Sequence, residues 1–377
     1  MNLARHQSLI NWGTFGVSKV SGFVPEVQPL QVPKHKSLFP HYELAKNLPS
    51  VVESENFLEL VEALPRTNIA EFIHDYEHIE LATVIHAFLV NAYYCRINSE
   101  KKVIPSNVGV PFCELSEYLD RPPVLTIVNC EYYNWSLIDP NQNFHSENLQ
   151  ANFTFTGTSD ESQFYMVANY VDYLGTPCIF SIFDLHEAAK KCDGNLAKQS
   201  LESIASALNH GSDALNYIYR RVDKSVFYFG FRKYMKAIDE VVFEGYSKEP
   251  FRKIMGASAV QSPLFRFLDY GIGIDHNDEM LTTILAYLKK EHRNLIVHAN
   301  QNRPHNLREV VKELKKEEEW NSMIQALIRF RKKHAALVKN YILGPSGEAD
   351  LVGTGGSNID FFFENIIKRT SKKLFTN

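Results

Sequence analysis

The feature that most restricts the fold of this chain is a helical spacing of apolar residues, which continues from Glu161 almost to the C-terminal end. Apolar residues recur there every three or four positions, as at Leu201, Ile204 and Leu208, and this period places them on one face of a helix. No repeat of fixed length and no low-complexity tract interrupts the pattern. The sequence therefore predicts a mostly α fold with a large helical C-terminal part.

The N-terminal part of the chain is less regular. Residues 1–40 are rich in Val, Pro, Gly and Ser and predict an irregular arm, whereas a long helix is expected from about Ile69 to Arg96. The Pro-rich and β-branched stretch Lys102–Trp135 predicts a connector with one or two short extended segments. These changes divide the chain into a smaller N-terminal domain, residues 1–155, and a large C-terminal helical domain, residues 156–377.

Three patterns in the C-terminal part predict individual helices. Phe227–Val241 is expected to form one, and Asn277–Asn300 another. A charged run, VKELKKEEEW, is expected on the solvated face of a long helix that reaches Tyr341.

The glycine-dense stretch Gly353–Ser357 has neither dinucleotide-binding nor P-loop spacing. It indicates a mobile loop that closes over a pocket or, equally well, an exposed connector.

A histidine lies in the apolar stripe of the stretch Asn277–Asn300. His292 shares one helix face with Ile284, Leu285, Leu288, Leu295 and Ile296. A lone histidine on such a face is most often a core residue, and less often a metal or heme ligand that binds through its neutral imidazole. If His292 is not a ligand, His298 and His334 are the next candidates.

A second pair of histidines, His74 and His78, has the four-residue spacing of a metal pair on a helix, with Glu77 between them. The HExxH motif is absent, and the neighbouring charges favour a solvated face. The pair is therefore interpreted as a surface feature.

Composition excludes several classes of protein. The formal net charge of −4 provides no basic field for nucleic acid, and the only long, nearly uncharged run, Phe164–Phe183, contains Asp172 and is broken by a Gly-Thr-Pro turn. The cysteine number is odd, no CxxC pair occurs, and the first residues lack the apolar core of a signal peptide. We therefore expect a cytoplasmic protein that binds neither nucleic acid nor membranes.

One arginine, Arg232, follows the aromatic residues of the motif FYFGFR, which begins at Phe227. This arginine could stack on rings at an interface, or it could hold a substrate carboxylate beside an aromatic wall. The sequence contains no GxSxG motif and no convincing Ser/His/Asp order, so hydrolase and zinc-site predictions have no support.

Seven separated parts of the chain contain distinctive motifs. In chain order they are VIPSNVGVPFCELS, RPPVL with Asn134-Trp135, FYFGFRKYM, FEGYSKEPF with GASAVQS, EHRN around His292, HAALVKNYILGP and GTGGS. Taken together, they resemble the indoleamine 2,3-dioxygenase family of heme enzymes. Their order and spacing match the family from about Pro40 to Arg369.

The resemblance implies a two-domain helical fold that binds heme b, with His292 as the proximal iron ligand. It implies that Arg232 holds a substrate carboxylate. Further residues are expected around the substrate: Phe227 beside Arg232; Ser258 and Ala259 at the heme edge and the amino end; Phe164, Ala168, Cys130 and Ile127 on the distal side; and Gly355, Gly356 and Ser357 in a lid.

The implied reaction is cleavage of the indole C2–C3 bond of L-tryptophan or a related indoleamine by O2, which gives N-formylkynurenine and requires an unidentified reductant. Two residues depart from well-known animal members, which have Ser at the position of Ala168 and Tyr at that of Ile127. The resemblance therefore implies a more apolar distal pocket without a side-chain base at Ala168. Insertion of a single oxygen atom and non-catalytic heme binding remain the alternatives.

Overall fold

The computed structural model describes residues 11–246, 248–274, 279–346 and 359–376. Most of these residues are helical, which confirms the predicted mostly α fold. The α-helices are α1 (Phe39–Lys46), α2 (Leu48–Val51), α3 (Phe57–Glu62), α4 (Tyr76–Arg96), α5 (Ser106–Tyr118), α6 (Ser159–Leu174), α7 (Thr176–Lys191), α8 (Gly194–Ala214), α9 (Asn216–Arg221), α10 (Arg232–Met235), α11 (Pro263–Ile272), α12 (Glu279–Ile284), α13 (Lys290–Asn302), α14 (Leu307–Glu313), α15 (Glu317–Val338), α16 (Gly344–Ser346) and α17 (Ile359–Ser371).

The core of the C-terminal part is formed by long helices that pack on one another. Helix α8 packs along both α7 and α15, and α15 also packs against α17. The Asp193 side chain accepts hydrogen bonds from the first backbone N–H groups of α8, and Leu201, Ile204 and Leu208 are buried as their spacing predicts. None of the described helices is both long and apolar enough to cross a membrane.

The strands in the described residues form two small sheets. Strands β1 (Val103–Ile104), β4 (Ile238–Phe243) and β5 (Phe251–Ile254) form one sheet, in the order β1–β4–β5, and β2 (Trp135–Leu137) pairs with β3 (Leu149–Ala151). The parallel pairing of β1 with β4 crosses the domain boundary expected near residue 155, as does a hydrogen bond from Asn91 Nδ2 to Tyr234 O of 3.0 Å. The boundary itself stays a prediction.

The prediction of an extended connector over Lys102–Trp135 is wrong for its central part, which forms helix α5. Val108, Phe112 and Leu115 of this helix are buried, and the helix packs against α4. Packing of this apolar face therefore outweighs the low helix propensity of the β-branched residues and proline. Only β1 and β2, at the two ends of the stretch, are extended as expected.

The predicted single helix over Phe227–Val241 is also wrong. A π-helical turn, Val226–Phe231, leads into the short helix α10, and the chain then becomes strand β4. Ile238 and Val241 are buried in this strand by pairing and packing, which a helical period alone cannot reveal. After strand β5, the backbone passes close to the end of α10 at Gly256, where a Cβ atom would lie 2.1 Å from Met235 O.

Two long predicted helices are each divided in two. The stretch Asn277–Asn300 contains α12 and α13, which are separated by a 3-10 turn and an extended Leu288. The charged run spans the break between α14 and α15, where Lys315 has a φ angle of 57°. The predicted loop Gly353–Ser357 lies outside the described residues.

The interpretation of His74 and His78 as a solvated pair is correct for His74 and wrong for His78, which is fully buried at the start of α4. By distance alone, the imidazole nitrogen atoms of His78 and His35 and a carboxylate oxygen of Asp75 could hold a metal ion. However, His78 Nε2 accepts the backbone N–H of Lys34 at 3.1 Å, and Nδ1 lies 2.8 Å from Asp75 Oδ2. Both nitrogen atoms are therefore engaged, and the group stabilises the start of α4.

Candidate active site

A largely apolar cavity in the described part of the chain is lined by residues of α6, α15 and α17. It consists of two adjoining hollows. Together with the open solvent at its mouth, the larger hollow spans about 1020 Å³ of space outside protein atoms, and the smaller hollow about 730 Å³. Residues common to both include Ile127, Glu131, Ala168, Ala259 and His334. A mostly apolar cavity with a few polar groups is the usual form of a site for a cofactor or a small substrate.

All three π-helical turns among the described residues contribute to the larger hollow. The turn Val128–Tyr132 provides Glu131, the turn Val226–Phe231 provides Phe227, and the turn Lys339–Leu343 provides Tyr341 and Ile342. A π-helical turn widens the helix and redirects its side chains, and such turns are frequent at functional sites. The same turns account for part of the departure from the predicted regular helices.

Six residues predicted at the site do line the cavity. Phe164 and Phe227 form an aromatic wall in the larger hollow, where their ring centroids lie 4.8 Å apart. The others are Ile127, Ala168, Ser258 and Ala259. Cys130 is fully buried but lines neither hollow. Gly355, Gly356 and Ser357 lie outside the described residues.

Arg232 is buried beside this aromatic wall but does not line either hollow. It follows directly after the π-helical turn that contains Phe227, and its guanidinium carbon lies 5.1 Å from the centre of the Tyr228 ring. Phe227 before it and Met235 after it both line the larger hollow, so the chain around Arg232 runs along the cavity wall.

His292, the predicted heme ligand, does not line the cavity. Its side chain is 1% exposed and lies under the N-terminal arm, where Nε2 donates a hydrogen bond to Gly16 O at 3.2 Å. The ring also packs edge-on against Phe23, at 4.9 Å between centroids. Gly16 has a φ angle of 61°, and a Cβ atom there would lie 3.6 Å from the imidazole. The position of His292 therefore matches the core-residue alternative and does not support the ligand role.

His334 is the histidine that faces the cavity, and it lines both hollows. It lies on α15, and its ring packs edge-on against Phe363 at 5.3 Å. No described residue hydrogen-bonds to either of its nitrogen atoms. Burial lowers the pKa of His334 to about 4, so the ring is neutral and a nitrogen lone pair is available for a metal.

The sequence signal that would have identified His334 is the one that suggested His292. His334 also lies in an apolar helical stripe, with Phe330 four positions before it and Leu337 and Val338 after it. The pKa does not distinguish the two histidines either, because burial lowers that of His292 as well. The two histidines are distinguished only by their positions relative to the cavity, because His334 lines it and His292 does not.

Two buried acids lie at the cavity, although an apolar distal pocket was expected. Asp172 accepts hydrogen bonds from the hydroxyl groups of Tyr132 and Ser262, the latter at 2.7 Å, and burial raises its pKa to about 6. Glu131 lines both hollows, and no hydrogen bond to its carboxyl group comes from the described residues. Burial, and then the neighbouring Asp172, raise its pKa well above the usual range. Beside the apolar side chains of Ala168 and Ile127, Glu131 therefore adds a buried carboxyl group to the cavity wall.

The residues present fit a heme group. An unpartnered neutral imidazole, His334, faces hollows whose walls are mostly aliphatic and aromatic. Heme requires this combination, since its iron takes an imidazole nitrogen and its ring needs an apolar enclosure. The fold and the cavity thus define a helical protein with a site that suits heme.

Comparison with known proteins agrees with this class. The family model described as indoleamine 2,3-dioxygenase matches residues 11–373. The chain is 29% identical over 366 residues to indoleamine 2,3-dioxygenase 1 of Rattus norvegicus, with 88% of each chain covered. It is 26% identical over 363 residues to the indoleamine 2,3-dioxygenase of Saccharomyces cerevisiae, covering 88% of this chain and 80% of the yeast protein.

A further relative, the 6-hydroxytryptophan 2,3-dioxygenase of Fusarium equiseti, is 27% identical over 345 residues, which cover 88% of this chain and 85% of that protein. The chain belongs to the indoleamine 2,3-dioxygenase family. It is an oxidoreductase of the heme-dependent dioxygenase class, and its cofactor is heme.

Proposed function

We propose that the protein cleaves the C2–C3 bond of the indole ring of L-tryptophan, or of a related indoleamine, with O2 to give N-formylkynurenine or its analogue. The observation that carries this proposal is the presence of His334 and the aromatic wall of Phe164 and Phe227 in one cavity. The names of the relatives support the same substrate class. The reductant is unidentified, and the cytoplasmic location stays a prediction.

His334 is the proposed iron ligand in place of His292. When bound, heme supplies the activation of O2 that addition to the indole ring requires. The chain contributes a neutral nitrogen donor at His334 and apolar walls that exclude water. Ala168 can neither donate nor accept a proton, so no step depends on a side-chain base at that position.

The remaining wall residues orient the substrate. Phe164 and Phe227 would hold the indole ring by stacking and edge contacts. Ser258 and Ala259 would lie at the amino end of the substrate. Holding the ring in one orientation contributes to rate because the reacting atoms then start near their reaction distance.

Arg232→Ala is expected to lower kcat/KM for L-tryptophan by about ten- to a hundredfold, because a charge-assisted hydrogen bond to a carboxylate contributes roughly 1.5–3 kcal/mol. Arg232→Lys should recover only part of the loss, since Lys keeps the charge but not the planar fork. Steady-state kinetics with heme-loaded enzyme measure both effects.

Tryptamine, which has no carboxylate, is the control for Arg232. Its turnover should barely change in Arg232→Ala. Equal losses for tryptophan and tryptamine would mean that Arg232 supports the wall structure and does not recognise the carboxylate.

The proposed activity is tested by loading the protein with hemin, reducing it anaerobically, and adding O2 and L-tryptophan. Mass spectrometry should show a product heavier than the substrate by two oxygen atoms. A fully heme-loaded, reduced protein that forms no oxygenated product from L-tryptophan or from other indoleamines would contradict the proposed function.

A further inference from the structure

Glu131 stands out among the buried acids near the cavity because its carboxyl group has no partner. Glu161 is bonded by the backbone N–H groups of Phe155 and Thr156 and by the Tyr165 hydroxyl, and Asp172 is bonded by two hydroxyl groups. No described residue forms a hydrogen bond or ion pair with the Glu131 side chain, which is 5% exposed and lines both hollows. An unpaired buried polar group lowers stability, so its presence calls for an explanation.

Glu131 lies where the two hollows adjoin. It lines the larger hollow together with Phe164 and Phe227, and it also lines the smaller hollow, to which these two residues do not contribute. A ring held against the aromatic wall therefore shares the larger hollow with the Glu131 carboxyl group, which can meet a polar substituent on the edge of that ring.

The hydrogen-bonding groups of the Glu131 carboxyl indicate which kind of ligand group it can bind. Desolvation raises the pKa of Glu131 well above its usual range, with a further contribution from Asp172, and both effects favour the protonated form of the group. A protonated carboxyl group has one O–H donor and a carbonyl acceptor. The N–H group of an indole ring can donate only to the carbonyl oxygen of this carboxyl group. A hydroxyl group on the ligand can donate to that carbonyl oxygen and can also accept a hydrogen bond from the carboxyl O–H.

We propose that Glu131 is a specificity-determining residue that hydrogen-bonds to a hydroxyl group on the benzene ring of the substrate, so that the site favours ring-hydroxylated indoleamines over unsubstituted ones. This inference rests on the proposed function and adds the substrate subclass to it. Val167, an apolar residue that also lines the larger hollow, provides a control position without hydrogen-bonding capacity.

The test compares kcat/KM for L-tryptophan and for the positional isomers of hydroxytryptophan in the wild type and in Glu131→Val. At least one isomer should be preferred by the wild type, and Glu131→Val should lower its kcat/KM by about five- to tenfold, as expected for one neutral hydrogen bond. The value for L-tryptophan should stay the same or rise. Glu131→Gln, which keeps a donor and an acceptor, should retain part of the preference.

Two further measurements separate recognition from a structural role. Binding of each isomer to the ferric heme protein, followed by the change in heme absorption, should weaken in Glu131→Val by the same factor as kcat/KM. Without substrate, Glu131→Val should be at least as stable as the wild type, because it removes an unpaired polar group. Val167→Ala should change turnover of all substrates alike and leave the ratio of hydroxytryptophan to tryptophan unchanged.

The outcomes distinguish this inference from the proposed function. If the wild type oxidises L-tryptophan but shows no preference for any hydroxylated isomer, or if Glu131→Val leaves the preference intact, the role of Glu131 is refuted and the dioxygenase function stands. If the wild type oxidises no indoleamine, the proposed function fails, and the role of Glu131 fails with it.

Discussion

His334→Ala is expected to lose most of its heme. The imidazole of His334 is neutral and faces both hollows, and no other histidine of the described residues lines either of them. Removing it takes away the one imidazole that the described cavity walls offer to heme iron. The measurement is the heme content after hemin loading and the absorption spectrum of the ferrous protein. In His334→Gly, added imidazole should restore the spectrum by occupying the space of the missing side chain.

His292→Ala is the matched control. It removes a buried imidazole of the same size, but one whose Nε2 donates to Gly16 O outside the cavity. We expect normal heme content and a loss of stability of about 1 kcal/mol or somewhat more from the missing hydrogen bond and packing. Normal heme binding by His334→Ala together with loss of heme in His292→Ala would reverse the assignment.

Arg121→Met is expected to lower the free energy of unfolding by about 3–5 kcal/mol. Arg121 Nη2 lies 2.6 Å from Glu80 Oε2, and the two side chains are only 4% and 1% exposed. The substitution leaves the carboxylate of Glu80 buried with the Tyr76 hydroxyl, at 2.7 Å, as its remaining hydrogen-bond donor among the described residues. Urea unfolding of the variant, followed by circular dichroism, measures the effect.

Two comparisons test the cause of this loss. The double variant Glu80→Gln with Arg121→Met should recover most of the stability, because the unpaired charge is then absent. Arg66→Met breaks a similar contact with Glu114, but these side chains are 56% and 35% exposed. That variant should lose less than about 1 kcal/mol. Equal losses at the exposed and the buried pair would contradict the argument from burial.

The sequence predicts helices well where one buried face has a regular period. Helices α6, α7 and α8 lie close to where their apolar residues indicate. It fails where packing overrides local preference, as in α5, or where a π-helical turn changes the period, as at Val226–Phe231. Strand β4 could not be predicted either, because it depends on pairing with β1, which is distant in the sequence.

The residues of the candidate site were predicted only in part, again because local sequence patterns do not show how distant segments pack together. The aromatic wall and the small residues around Ser258 were identified, but the choice between His292 and His334 was not, since both lie in apolar helical stripes. The difference between them arises from the N-terminal arm, where Gly16 covers His292 across 276 positions of the sequence. Glu131 was missed because a charged residue is normally exposed, and only the fold shows that this one faces a cavity.

A dioxygenase transfers both atoms of one O2 molecule to one indoleamine. The most direct test supplies the reduced, heme-loaded protein with L-tryptophan and an equal mixture of unlabelled O2 and O2 labelled in both atoms. We expect each product molecule to carry two oxygen atoms from O2, either both labelled or both unlabelled. A product with only one oxygen atom from O2 would show single-oxygen insertion and would contradict the dioxygenase function.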